Sequence, residues 1–176
     1  MRFPDHPLIL GHRGAPREAP ENTLRAFRLA RDHGADGVEL DVQPSADGVP
    51  VVIHDLTLDR TTDSGGLVAA LAWERLAAVR AGGEPLARLE SVAEWAAESG
   101  AWLNVEIKSA GIEAESAAAI EGAGLIPRTF FSSFLPEVVA RVGDVAPSAT
   151  RFLLTEDWSA AVLATARELG VRGVCL

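Results

Sequence analysis

Three short stretches of this chain carry residues able to do chemistry together: Gly11-His12-Arg13-Gly14, Glu39-Leu40-Asp41 and His54-Asp55, each ending an apolar run that reads as a β-strand. Two histidines, the carboxylates of Glu39 and Asp41 and an arginine at strand ends suit a metal site that cleaves phosphate esters. A fourth stretch, Asn104-Val105-Glu106-Ile107-Lys108, adds a carboxylate and an ammonium from far along the chain. Side chains alternate faces along a strand, so Val38, Leu40 and Val42 point one way and Glu39 and Asp41 the other. The apolar set must meet helices, which leaves the carboxylates facing inward. Leu103, Val105 and Ile107 against Asn104, Glu106 and Lys108 repeat the arrangement.

Three anions packed at one place cost too much unless a cation neutralises them or some stay protonated. All-oxygen ligation by Glu39, Asp41 and Glu106 suits Mg²⁺ or Ca²⁺ rather than Zn²⁺. Arg13, as a fork, and Lys108, as a point charge, add positive charge suited to a phosphate. Histidine titrates near neutrality, so His12 and His54 flanking a phosphodiester can take a proton from an attacking hydroxyl and return one to the leaving alcohol. Asp55 either orients a neighbouring group or caps the following turn.

Other residues read as structural. Pro20-Glu21-Asn22-Thr23 reads as a helix start with Asn22 as the cap, Glu21 having a lesser claim on the site. His33 belongs to the end of that helix, His6 is expected to be exposed, and Trp73 and Trp95 are core or lid residues. Ser132 and Ser133 line a polar strand end, since no Gly-x-Ser-x-Gly elbow surrounds them. Gly65-Gly66 follows no strand and precedes no Lys-Ser/Thr, so it does not cradle phosphate.

The elements that must position these residues alternate between strands and helices, the pattern of βα units around a parallel sheet. Strands are expected at Leu8–Leu10, Gly37–Val42, Trp102–Ile107, Phe130–Phe134, Arg151–Leu154 and Gly173–Leu176. Helices are expected after Asn22, over Leu89–Ser99, around Ile112–Gly122, over Pro136–Val142 and over Ser159–Leu169. Val51-Val52-Ile53 follows too closely for a helical crossover and returns antiparallel as a hairpin arm, folding His54 toward the second strand. A short helical segment is expected around Leu71–Val79, and Arg80–Pro85 reads as the most flexible connection. The whole is one domain over residues 1–176, an incomplete TIM (β/α)8 barrel with a hairpin and loop insertion at about 43–87. About six of the eight βα units are present: a barrel of this type takes about 250 residues, and the sequence stops within the apolar run Val174-Cys175-Leu176.

Composition narrows the function classes. With 25 acidic against 16 basic residues and a net charge of −9, the chain has no electrostatic grip on nucleic acid, and no stable association with anionic membranes is expected. No apolar stretch approaches the roughly 18 residues that span a bilayer, and Met1–Pro7 lacks the apolar core of a secretory leader. The lone Cys175 excludes an intramolecular disulfide, which fits a cytoplasmic setting.

These residues resemble a known family, the glycerophosphodiester phosphodiesterases. The resemblance rests on His12-Arg13-Gly14, Pro20-Glu21-Asn22-Thr23 with Ala26-Phe27, the run from Gly34 to Val42, Asp47 to Asp55, Leu58-Asp59-Arg60-Thr61-Thr62, and Asn104 to Lys108. It is strong as far as Lys108 and weaker onward through Ser133-Phe134. It implies a TIM barrel that uses a divalent metal to hydrolyse glycerophosphodiesters to glycerol 3-phosphate and an alcohol, a step of lipid and glycerol metabolism. By motif position, Glu39, Asp41 and Glu106 are its metal ligands, His12 and His54 its acid–base pair, and Arg13 and Lys108 its phosphate contacts. One histidine would activate the glycerol 2-hydroxyl to give a cyclic phosphate while the other protonates the leaving group. The chain departs from the family in a short segment between His54 and Leu89, in Ala87-Arg88-Leu89 where a proline often precedes the leucine, and in lacking the closing Trp-Thr-x-Asn and Asp-Gly-x-x-Thr-Asp strands. Two other readings stand beside it: a phospholipase-type enzyme of the same fold acting on lysophospholipids, and an inactive fragment that binds metal or phosphate.

Overall fold

The computed structural model describes residues 6–176, so the leader reading of Met1–Pro7 falls largely outside the described residues. The first strand, β1 (Leu10–His12), leads through a turn to helix α1 (Leu24–Asp32) and then to the long strand β2 (Gly37–Pro44). Strand β3 (Pro50–Val52) returns antiparallel to β2. A loop follows that holds the single-turn helix α2 (Trp73–Leu76) and the short strands β4 (Arg80–Ala81), β5 (Glu84–Pro85) and β6 (Ala87–Arg88). The remainder is regular βα alternation: α3 (Leu89–Ser99), β7 (Trp102–Ile107), α4 (Glu113–Gly122), β8 (Thr129–Ser133), α5 (Pro136–Val145), β9 (Thr150–Leu154), α6 (Ala160–Glu168) and β10 (Gly173–Cys175).

Six of these strands form a parallel array in the order β1-β2-β7-β8-β9-β10, the staves of a TIM-like barrel in sequence order. Among the described residues no pairing joins β10 to β1, and the array is open there. Side-chain alternation along β2 and β7 follows the sequence: Val38, Leu40 and Val42 with Leu103, Val105 and Ile107 are completely buried in the layer between sheet and helices. The Phe27 ring on α1 stacks on Trp95 of α3 at 5.8 Å in that layer, making Trp95 a core residue. The opposite faces of β7, β8 and β9 carry a row of aromatic rings, Trp102 on Phe130 and Phe130 on Phe152, each pair 5.6 Å apart.

Several expectations need correction. The first strand lies two residues later than Leu8–Leu10, because parallel pairing aligns Leu10, Gly11 and His12 with Gly37, Val38 and Glu39. Helix α1 is capped by Thr23, whose hydroxyl accepts from the Ala26 N–H, and not by Asn22. Asn22 instead takes a left-handed backbone conformation, φ 58°, which asparagine tolerates, and turns its side chain inward. Arg80–Pro85 is an ordered hairpin of β4 and β5, turning through Gly82 and Gly83 at positive φ and burying Ala81. The helical segment expected around Leu71–Val79 is a single turn.

Candidate active site

The geometry of the site follows from how β1 and β3 share one edge of β2. Strand β1 pairs with Gly37 to Glu39, whereas β3 pairs with Val42 to Pro44 and runs the other way. The two meet head to head at Glu39-Leu40-Asp41, where the Arg13 N–H donates to the Glu39 carbonyl and the Ile53 N–H to the Asp41 carbonyl. One strand thus delivers His12 and the other His54 to the carboxylates of β2. On the opposite edge, in-register pairing sets Glu106 of β7 beside Asp41.

Glu39, Asp41 and Glu106 place one carboxylate oxygen each within 4.8 Å of one another, and all three are buried. Asp41 is fully enclosed: Oδ2 accepts from Asn22 Nδ2 at 2.8 Å and faces Arg13 Nε at 3.1 Å, whereas Oδ1 has no hydrogen-bond partner. Glu39 Oε2 accepts from the Arg13 N–H at 3.0 Å and lies 3.7 Å from His12 Nε2. Glu106 Oε1 accepts from Lys108 Nζ at 2.7 Å. Burial and the neighbouring Asp41 charge push the Glu39 carboxyl up to about 8. Burial also raises Glu106, although the Lys108 ammonium opposes it. Three carboxylates outnumber the two cations among them, and one buried oxygen is left without a donor. A hard divalent cation fits that oxygen-only donor set.

His54 is held from both sides. Its Nδ1 lies 2.7 Å from Asp55 Oδ1, and Lys108 Nζ lies 3.2 Å from its Nε2. An ammonium donates and a carboxylate accepts, so the pair of contacts selects the neutral imidazole with its proton on Nδ1 and its lone pair on Nε2. The His54 carbonyl accepts from Gln43 Nε2, and Gln43 Oε1 in turn accepts from Ser109. His12 is the more exposed of the two, with 71% of its side chain open to solvent.

A cavity of about 630 Å³ opens over these groups, lined by His12, Arg13, His54 and Lys108 on one side and by Ser132 and Phe134 on another. Ser132 Oγ donates to Asn104 Oδ1, and Ser133 Oγ to the Ile107 carbonyl, so both serines are engaged in holding strand ends. His33 closes α1 as expected, and its ring reaches Glu18 at 3.0 Å, away from the site. His6 is exposed.

Two groups near the site had no part in its chemistry in the sequence reading, Asn22 being read as a helix cap and Arg60 having no role. Asn22 holds a buried carboxylate, and Arg60 bonds to both Glu21 and Asp55. Arg60 sits in Leu58-Asp59-Arg60-Thr61-Thr62, a run that carried the resemblance without a role for any one residue. Its position five residues after Asp55 was the available signal.

Residues 12–175 match the model of the glycerophosphoryl diester phosphodiesterase family. A glycerophosphodiester phosphodiesterase of Caldanaerobacter subterraneus subsp. tengcongensis is 39% identical over 153 residues, covering 80% of this chain and 63% of the relative. Glycerophosphodiester phosphodiesterase 1 of Bos taurus is 32% identical over 168 residues, covering 88% of this chain and 51% of the relative. The chain therefore spans half to two thirds of those relatives' length. Among solved structures, an Oleispira antarctica phosphodiesterase in complex with the product sn-glycerol-3-phosphate superposes with a TM-score of 0.84 and 30% identity, over 96% of this chain and 74% of that one. The glycerophosphodiester phosphodiesterase of Agrobacterium tumefaciens gives 0.80 and 31%, over 95% and 85%. The fold agrees with this match, and the chain belongs to the glycerophosphoryl diester phosphodiesterase family.

Proposed function

We propose that this site hydrolyses glycerophosphodiesters to glycerol 3-phosphate and an alcohol, with Mg²⁺ or Ca²⁺ held by Glu39, Asp41 and Glu106. The observation that carries this reading is the buried triad with an Asp41 oxygen that accepts no hydrogen bond and has the Lys108 ammonium at 3.7 Å, set between His12 at the end of β1 and His54 just beyond β3. The product bound to the Oleispira antarctica relative supports the substrate class. A bound divalent ion supplies positive charge against the phosphate oxygens and lets the three carboxylates ionise together.

The chain's own groups do the proton work. His54 takes the proton of the glycerol 2-hydroxyl on Nε2 as that oxygen attacks phosphorus, Lys108 giving up its contact with Nε2 for the phosphate. His12, exposed at the other side of Glu39, returns a proton to the departing alcohol. Lys108 places its ammonium at the site, and Arg13 contributes charge while spending Nε and Nη1 on Asp41 and Glu21. A cyclic phosphate would form first and then open with water, the histidines exchanging roles. Among the described residues no helix is long and apolar enough to cross a membrane.

The test is turnover of glycerophosphocholine by the protein, read as glycerol 3-phosphate released under titration with Mg²⁺ and Ca²⁺. His12→Ala and His54→Ala are each expected to lower kcat by about 100-fold or more. Undiminished turnover in either variant, or in chelator, would refute the reading.

A further inference from the structure

Arg60 lies outside the carboxylate triad, in the loop after β3, yet its guanidinium is occupied on two edges by carboxylates. Nε donates to Asp55 Oδ2 at 2.6 Å and Nη2 to Asp55 Oδ1 at 2.9 Å. Nη2 also donates to Glu21 Oε1 at 2.8 Å, and Nη1 to Glu21 Oε2 at 3.1 Å. Glu21 then accepts from Arg13 Nη1 at 3.0 Å, and Arg13 Nε faces Asp41 at 3.1 Å. The outcome is an unbroken row of contacts that starts at His54 and alternates in charge from Asp55 through Arg60, Glu21 and Arg13 to Asp41. It joins the loop after β3 to the loop after β1, two segments that no strand pairing connects beyond β2.

We propose that Arg60 and Glu21 are positioning residues for His54: Arg60 fixes both oxygens of Asp55, so that Asp55 holds the imidazole proton on Nδ1 and Nε2 faces the cavity. The inference rests on the proposed role of His54 and adds the two groups that set its state. A single exposed ion pair would contribute little, because holding two long side chains costs entropy and water screens the charges. This arrangement differs in being bidentate at both ends, and it fixes an orientation. Asp55 by itself has a carboxyl free to rotate about its last torsion, which would present either oxygen to the ring or swing away. With Oδ2 and Oδ1 both gripped by one rigid fork, the plane of the carboxylate is set, and with it the ring it accepts from. The Asp55 carboxyl is held well below the ordinary range by Arg60 first and His54 second, so it stays an acceptor throughout the working pH range. A lysine at position 60 carries the charge without the fork and cannot span four carboxylate oxygens in one plane.

The experiment compares the full chain with Arg60→Met, Arg60→Lys and Glu21→Gln, using two readouts. The ¹⁵N shifts of the His54 ring report which nitrogen carries the proton, whether or not turnover is seen. Steady-state kinetics with glycerophosphocholine separate kcat from KM. The expected result for the chain is a ring protonated at Nδ1. In Arg60→Met and Arg60→Lys alike, the ring becomes a mixture of tautomers and kcat falls about 10-fold or more, with KM changed far less. Glu21→Gln, which keeps a neutral acceptor for Arg60, gives a smaller loss in the same direction. If Arg60→Met does not fold, Arg60→Lys and Glu21→Gln carry the same two readouts. An Nδ1-protonated ring and unchanged kcat in folded Arg60 variants would overturn the proposal, as would full activity in Arg60→Lys. A chain that turns over no glycerophosphodiester refutes the proposed function, while the ring shifts still decide whether Arg60 sets the tautomer.

Discussion

Asn22 and Asp41, nineteen residues apart, clasp each other in both directions: Asn22 Nδ2 donates to the Asp41 carboxylate at 2.8 Å, and the Asp41 N–H donates to Asn22 Oδ1 at 3.3 Å. The left-handed backbone at Asn22 makes this possible, because it turns the residue before the helix cap inward. The clasp satisfies one carboxylate oxygen and leaves the other, Oδ1, for a cation.

Asn22→Ala is therefore expected to do two things at once. It removes a hydrogen bond from the buried Asp41 carboxylate, leaving Oδ2 to Arg13 alone, and puts a Cβ-bearing residue without a compensating side-chain bond at positive φ, which together cost about 3 kcal/mol of stability. It also frees Asp41 to rotate, which should weaken Ca²⁺ or Mg²⁺ binding by about 10-fold or more. Asn22→Gly separates the effects by relieving the backbone while still losing the clasp. Denaturant melts and calorimetric metal titrations measure both, and unaltered metal affinity in the glycine variant would show that the clasp does not orient the ligand.

The raised Glu39 carboxyl makes stability depend on pH in a direction opposite to that of an ordinary ion-paired acid. The folded, metal-free protein keeps a proton on Glu39 that the unfolded chain releases, so this group's contribution is lost as pH rises from about 4.5 through about 8. Across that window the metal-free melting temperature should fall, for a loss on the order of a few kcal/mol. Glu21 and Asp55, whose carboxyls are lowered, act in the other direction and at more acid pH. A divalent cation must displace the Glu39 proton, so its affinity should climb toward pH 8 and its binding should release protons into the buffer. Melts in chelator and in Ca²⁺ between pH 5 and 8 test this; a chelated protein that grows more stable with rising pH would contradict it.

The carboxylate triad was legible in the sequence because strand alternation is a strict rule: once Val38, Leu40 and Val42 face helices, Glu39 and Asp41 have no other face to occupy. The two histidines were legible as strand ends, and the parallel array as an alternation of apolar runs with helical stripes. What the sequence did not reveal lies in contacts between loops. Thr23 and Asn22 are both good caps by type, and the choice between them was settled by a carboxylate on a different strand. Arg60 gave no periodic signal, because its partners Glu21 and Asp55 come together through the meeting of β1 and β3 at β2. Gly82 and Gly83 marked a flexible connection by composition, yet the same glycines close an ordered hairpin.

Strand registry itself is open to test at Gly37, where β1, β2 and β7 lie side by side. A Cβ built there would sit 2.0 Å from the Trp102 carbonyl oxygen, a backbone atom that no rotamer change can move. Gly37→Ala must therefore push β7 away from β2, at a cost of about 1 to 3 kcal/mol or more. The consequence reaches the site because Asp41 and Glu106 are paired across the same two strands four residues further on. Displacing β7 spreads the triad, so metal affinity should fall along with stability. Gly48→Ala is the control: unlike Gly37, Gly48 has a positive φ of 79°, but a Cβ there meets nothing within 4 Å and the residue lies in the hairpin turn. It should cost about 1 kcal/mol through the backbone alone and leave the metal titration unchanged. Equal loss of metal affinity in both variants would mean that general destabilisation, and not the spacing of β2 and β7, governs how the three carboxylates hold their ion.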